Sequence, residues 1–241
     1  MGKTGSMRKT QQRGIAIAPI LFIVAILAVL ASAIAAGSGS FSGDTSAVKA
    51  KAQASAILEQ ANLLTVAVQR VIGHGCTDTQ ISFENPMVSG YTNPNAPSDK
   101  SCHVFDVNGG GISFLPIKAS ELEVGNDGFF EFQGANVVTG LGCNDVSAAC
   151  DELAGFLPID SLKTCQEINK MVGMDGYLGE DVYVPSEKFR GAYFSSPNTM
   201  VNQGGTWKAG QMAGCLKKSS AYPSHLPLYA PYYFYKVLIV R

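Results

Sequence analysis

An α+β fold, with a long N-terminal helix packed on an antiparallel sheet, follows from three features of the sequence. Ile15 to Ala36 is an uncharged apolar run, and Ala47 to Ile72 continues it with apolar residues at helical spacing. Beyond the second segment, short apolar and aromatic runs alternate with glycine and proline turns, as in strands joined by hairpins. Tyr232 to Val240, "YYFYKVLIV", is an aromatic and β-branched run of the kind found in a buried strand, and such a strand needs a sheet to receive it.

Lys3, Arg8, Lys9 and Arg13 precede Gly14 with no acid among them, and the 22 residues from Ile15 to Ala36 carry no charge. As a helix this run would be roughly 33 Å long at 1.5 Å per residue, enough to cross a hydrocarbon core of about 30 Å. The cations on its N-terminal flank set the N-terminus in the cytoplasm and the remainder outside. Three fates compete for it. Ala33-Ile34-Ala35 offers a signal-peptidase pattern, but the apolar core is too long for an ordinary signal peptide. An uncleaved anchor fits the length and leaves the Arg13-Gly14 junction without a role. A cut after Gly14 on the cytoplasmic side would keep the apolar helix as a new N-terminus beginning at Ile15, and this is the preferred reading.

After the span, Gly37-Ser38-Gly39-Ser40-Phe41-Ser42-Gly43 is too rich in glycine to hold a helix unaided, since each glycine costs about 1 kcal/mol relative to alanine. The helix resumes with Asp44 as cap and a seam of Ala47, Ala50, Ala54, Ile57, Ala61, Leu64, Val68 and Val71, and Gly73 and Gly75 stop it. The C-terminal half of this stripe is expected to lie on the domain's own sheet. Its narrow, alanine-rich N-terminal half suits close packing against neighbouring subunits.

A basic leader ending in Gly14, an apolar helix from Ile15, a glycine-rich weakening and an amphipathic continuation to Ile72 together resemble the type IV prepilins and the pseudopilins of type II secretion. The resemblance covers about a quarter of the chain. It implies a pilin-like architecture in four parts: a leader (residues 1–14), a transmembrane and filament-core helix (15–36), a break with an amphipathic helix (37–75) and a disulfide-stabilised head (76–241). It also implies a prepilin peptidase acting between Gly14 and Ile15, an inner-membrane assembly platform, and copies of itself or of related subunits. Assembly would run through Pro19, Ile20, Leu21, Phe22, Leu27 and Leu30. The head would stand in the periplasm before assembly and in a pilus or periplasmic pseudopilus afterwards. One departure is plain: the fifth residue after the cut, glutamate in most pilins, is Pro19, and Ile15 replaces the usual phenylalanine. Proline is tolerated in a first helical turn, but the carboxylate as an assembly handle is gone, so a minor or tip subunit fits as well as a major one.

All six cysteines, Cys76, Cys102, Cys143, Cys150, Cys165 and Cys215, follow the membrane segment, which points to disulfides in an oxidising compartment. Fifteen connectivities are open. Proximity favours Cys143 with Cys150, and leaves Cys76 with Cys102 and Cys165 with Cys215 as the tidiest set. A metal site at His74-Gly75-Cys76 and Cys102-His103 is the alternative, but no C-x-x-C or H-x-x-x-H spacing supports it. The whole chain has 18 bases and 19 acids; loss of residues 1–14 would leave 14 bases. That balance disfavours a nucleic-acid partner, and Lys217-Lys218 reads as a solvated turn.

Within the head, Thr77 to Ser101 reads as a long loop. His103–Val107 and Ile112–Ile117 flank Asn108-Gly109-Gly110-Gly111 as a hairpin, and Phe129–Phe132 and Asn136–Thr139 form a second one around Gly134. Two short helices are expected, Asp145–Gly155 and Ser161–Val172, with antiparallel strands throughout.

Signals for catalysis are sparse, and neither an enzyme nor a cofactor is expected. Ser46-Ala47-Val48-Lys49 matches S-x-x-K, but the one K-T-G, Lys3-Thr4-Gly5, lies upstream of it, in the reverse of the order that penicillin-binding chemistry uses. A hydrolase would have to assemble His103 or His225 with a nucleophile through the fold. Asp175, Glu180 and Asp181 are weak calcium candidates in a glycine-bearing loop that lacks the alternating ligands of an EF-hand. Trp207 and the tyrosines Tyr222, Tyr229, Tyr232, Tyr233 and Tyr235 could form a sticky surface, though core is their commoner place. A secreted or membrane-anchored disulfide-rich binding domain without a filament role is the main alternative to the filament subunit, and an exported hydrolase comes after it.

Overall fold

The computed structural model describes residues 45–117, 128–138, 140–142, 151–175, 178–181, 188–193, 198–200, 210–218 and 231–241. The expectations for the leader and span, including Gly14, Ile15, Pro19, Ile20, Leu21, Phe22, Leu27 and Leu30, lie outside these residues, as do Cys143, Cys150, Trp207 and His225. Among the described residues no helix is long and apolar enough to cross a membrane. Residues 46–241 form one compact unit of the α+β class.

Helix α1, Thr45–Gly73, runs 29 residues and buries Ala50, Gln53, Ala54, Ile57, Ala61, Leu64, Ala67, Val68 and Val71, so the seam of alternating three- and four-residue steps is its core face. Small residues, Ala50 and Ala54 in the first half and Ala61 just past the midpoint, let the helix approach its neighbours closely. The first half of the seam, expected to suit neighbouring subunits, is buried at Ala50, Ala54 and Ile57 and half-buried at Ala47. Helix α2, Leu162–Met171, lies along it, with Thr164 Oγ1 donating to Gln53 Oε1 at 2.7 Å and Lys163 Nζ donating to Ser46 Oγ at 2.8 Å. Ser161 caps α2 by accepting from Thr164 N, and Gly173 takes the positive φ that ends it.

Strands β1 (Glu131–Val138), β2 (Glu152–Ile159), β3 (Gly179–Asp181), β4 (Asn198–Met200), β5 (Ala213–Lys218) and β6 (Tyr232–Ile239) form a sheet of order β3-β5-β6-β2-β1-β4. The central four, β5-β6-β2-β1, pair antiparallel, whereas β3 and β4 join the two edges parallel. Antiparallel pairing throughout was therefore too narrow an expectation. β6 sits between β2 and β5. Alternate residues serve two cores: Leu153, Leu157, Phe234 and Leu238 pack with α1, and Ala154, Phe156, Tyr233, Tyr235 and Val237 form a second cluster. A strand buried on both faces reads as a continuous apolar run, which is what "YYFYKVLIV" is.

Three local expectations are overturned. Glu152–Gly155, read as the end of a helix, is the start of β2, all eight of whose residues are buried. Pro158 is tolerated there because β1 begins opposite Phe156, so the missing N–H falls beyond β1's first pair. Gly134 is not a hairpin turn but lies inside β1; a Cβ there would stand 2.7 Å from the Phe189 ring, so the glycine makes room for an aromatic. The hairpin around Gly109-Gly110 is absent as well. His103 to Gly110 folds as successive turns, with Gly110 N donating to His103 O and with Gly109 and Gly110 pressed against the His103 and Val104 carbonyls. His103 instead makes a single parallel bridge with Ser82.

The long segment after α1 is a loop, as expected, opened by a 3-10 turn at Asp78–Gln80. Asn93 pins it, donating from Nδ2 to Thr79 O and Ile81 O at 2.9 and 2.7 Å. Phe83 stacks on Phe132 with ring centres 3.9 Å apart, and Phe132 N donates to Tyr91 Oη. Burial pushes the Tyr91 phenol well above the usual range, so it remains a neutral hydrogen-bonding group inside the core.

Candidate functional site

Two disulfides are present among the described residues, Cys76–Cys102 and Cys165–Cys215, and both match the pairing that proximity favoured. The first closes the loop behind α1; the second ties α2 to β5. Around the latter, Asn169 Nδ2 donates to Cys215 O at 2.8 Å and Asn169 Oδ1 accepts from Cys215 N at 2.7 Å, so a side-chain amide stands in for a neighbouring strand. With Cys76 and Cys102 joined to each other, their thiolates cannot serve the zinc alternative raised by the flanking histidines. Among the described residues no three His, Cys, Asp or Glu side chains gather as a metal site.

Of the calcium candidates, Asp175 is exposed, in the left-handed turn after α2. Glu180 and Asp181 belong to β3, in register with Lys217 and Lys218 of β5. Lys217-Lys218, presumed a turn, thus lie on a strand.

The catalytic alternatives find no constellation among the described residues. Ser46 accepts from Lys163 of α2 at 2.8 Å. His103 is largely buried beside Glu84, Lys100, Asp99 and Asp106; burial foremost, with Lys100 adding to it, holds its pKa below the ordinary value against the raising effect of the acids. No hydrogen bond joins it to a nucleophilic hydroxyl. Of the tyrosines, Tyr222 and Tyr229 lie outside the described residues, Tyr233 and Tyr235 are buried in the second cluster, and Tyr232 is half-buried against the first.

Sequence reasoning passed over a polar site inside the sheet. Asn136 of β1 lies in register with Glu152 of β2, both fully buried, at an irregularity in the pairing between Gln133 and Asn136. Glu152 Oε2 accepts from Val138 N at 2.9 Å, while Glu152 Oε1 and Asn136 Nδ2 find no partner. Burial, with the Asp151 carboxylate adding to it, lifts the Glu152 pKa to about 7. The signal in the sequence was the adjacent acids Asp151-Glu152 at the head of an apolar stretch, where a charge has no business unless it is held.

A second polar cluster lies where Asp78, Tyr193 and Arg241 meet. Arg241 Nε is 3.1 Å from Asp78 Oδ2, and its guanidinium stacks 3.9 Å over the Tyr193 ring. This joins the loop after α1 to the strand end beyond β6. The outward face of α1 is a different surface, on which Val48, Leu63 and Val66 stand exposed and apolar. Against known proteins, no family model matches the chain, and neither a curated protein nor a solved structure matches it.

Proposed function

We propose that the chain is a structural subunit, major, minor or tip-located, of a type IV pilus or type II secretion pseudopilus. The observation that carries this reading is the order along the sequence of a basic leader ending in Gly14, an uncharged run, Ile15–Ala36, and then a 29-residue helix whose seam packs on the sheet. A cut after Gly14 by a prepilin peptidase leaves Ile15 as the new terminus. The apolar helix, with Pro19, Ile20, Leu21, Phe22, Leu27 and Leu30 on it, then holds the subunit in the inner membrane with its head in the periplasm, until a platform draws it into a filament with its own kind or with related subunits. Two disulfides suit a head that works outside the cytoplasm. Without a carboxylate at position 19, docking rests on apolar packing instead of on a charge pair with a neighbour's terminal amine. The head's work is contact, with neither catalysis nor a cofactor.

A second reading, a secreted or membrane-anchored binding domain, draws on the Ala33-Ile34-Ala35 pattern and the same disulfides. N-terminal sequencing of the protein isolated from its source separates the two. A terminus at Ile15 supports the filament subunit, one at Ala36 supports secretion, and an intact Met1 supports a plain anchor. Unchanged processing of a Gly14→Val variant would refute the filament reading.

A further inference from the structure

Beside α1 lies a cavity of about 240 Å³ lined by Leu63, Leu64, Phe105, Ile112, Phe114 and Phe130, with Gln60, Ser113 and Leu115 at its border. For scale, an apolar cavity of roughly 150 Å³ accepts a benzene ring. None of the described residues that line it is charged. Its lip is the stretch Ile112–Leu115, which the sequence marked as a strand and which the turns at His103–Gly110 leave without its expected partner. Burial alternates along this lip, with Ile112 and Phe114 half-buried on the main core and Ser113 and Leu115 exposed, the two-residue period of an extended chain. Gln60 Nε2 holds the lip by donating to Leu115 O at 2.7 Å, and Ile117 N donates to Gly128 O just beyond it. Among the described residues, no hydrogen bond reaches the main-chain groups of Ile112, Ser113 or Phe114. Leu63 and Leu115, 51% and 62% exposed, extend the apolar surface outward from the mouth.

We propose that the Ile112–Leu115 segment and the adjoining cavity form a docking site for an extended, uncharged peptide segment of a partner protein, which adds main-chain hydrogen bonds along the lip and seats one bulky apolar side chain in the cavity. Each half of the site selects a different part of that occupant. Open N–H and C=O groups on an extended chain are matched by another extended peptide, the mode in which a strand is added to a free edge. An apolar, charge-free cavity of this size selects a single aromatic or branched aliphatic side chain and rejects a charged one, whose desolvation nothing in the lining would offset. Among the described residues that line it, the mouth has no cation to meet a lipid head group. This site stands apart from the filament reading and does not need it.

The test uses the full chain in phospholipid nanodiscs and fluorophore-labelled, capped nine-residue peptides of alternating threonine and valine. The central residue is varied among phenylalanine, tyrosine, tryptophan, leucine and alanine. Saturable anisotropy is expected for at least one bulky apolar centre, weakened about tenfold or more by alanine. N-methylation of alternate peptide amides should weaken binding by a similar factor, and hydrogen exchange should slow at the alternate lip amides that face the added strand, Ile112 and Phe114 or else Ser113, when peptide is bound. Leu115→Lys should weaken binding about tenfold without shifting the thermal transition; Leu63→Lys serves instead should the first variant unfold. The proposal is overturned by a lack of saturable binding at millimolar peptide. It is equally overturned by N-methylated peptides that bind as well as their parents, which would make the cavity a site for small apolar groups alone. Slow exchange of the lip in a peptide-free dimer would assign it to a second copy of the chain and overturn it too.

Discussion

Glu152 shows how one residue can set the pH response of the head. Its carboxyl is neutral at low pH and is asked to ionise in a buried place beside Asp151 as pH rises, with a folded-state pKa of about 7 against an ordinary value near 4.5. The folded state holds this proton more tightly than the unfolded chain does. Its contribution to stability is therefore fully present below about pH 4.5 and is lost as pH rises through 7, a change on the order of 1–3 kcal/mol. Urea denaturation of the wild type between pH 4.5 and 8 should show that decline, and Glu152→Gln should flatten it, whatever the variant's absolute stability. Asn169 is a second case. Asn169→Ala orphans the buried N–H and C=O of Cys215 and should cost about 2–4 kcal/mol by the same denaturation assay.

At the scale of elements, the two helices and the strand β6 were readable because each obeys one dominant periodicity or cap. The α1 seam recurs at three and four residues, Ser161 caps α2, and Tyr232–Ile239 is apolar on both faces. What escaped was glycine used for clearance. Gly134 lies inside a strand because Phe189 needs the room, and Gly109-Gly110 lie against main-chain carbonyls, yet both read as hairpin turns from composition. β2 escaped because Asp145 to Gly155 has helical composition and its partner β6 comes some 70 residues later, a pairing that no local window contains. The candidate site was legible in its cysteines, but Asn136 and Glu152 come together only through strand register. Two measurements probe the elements. Ile57→Ala, at a fully buried position on α1, should lower stability by about 2–5 kcal/mol in chemical denaturation. Replacing Cys165 and Cys215 together by alanine opens a crosslink spanning 50 residues and should cost about 4 kcal/mol on a chain-entropy basis.

For the whole molecule, α1, the sheet and both disulfides belong to one unit from Ser46 to Arg241. A chain starting at Thr45 should therefore keep its cooperative thermal transition within a few degrees of the full-length protein's, with Cys76–Cys102 and Cys165–Cys215 intact by peptide mapping. On the filament reading it should sediment as a monomer where the full chain associates. Non-cooperative melting of the shortened chain would show that residues before Thr45 are needed to hold the head together.

The placement of β6 between β2 and β5 governs the order of events when the polypeptide is made from its amino end. Until residues 232–239 emerge, β2 and β5 have nothing to join them, and the greasy side of α1 waits more than 150 residues for half of its lining. Folding of the head is thus a single late closure. During that interval the half-made product is a ready client for any chaperone that shields naked hydrocarbon surface.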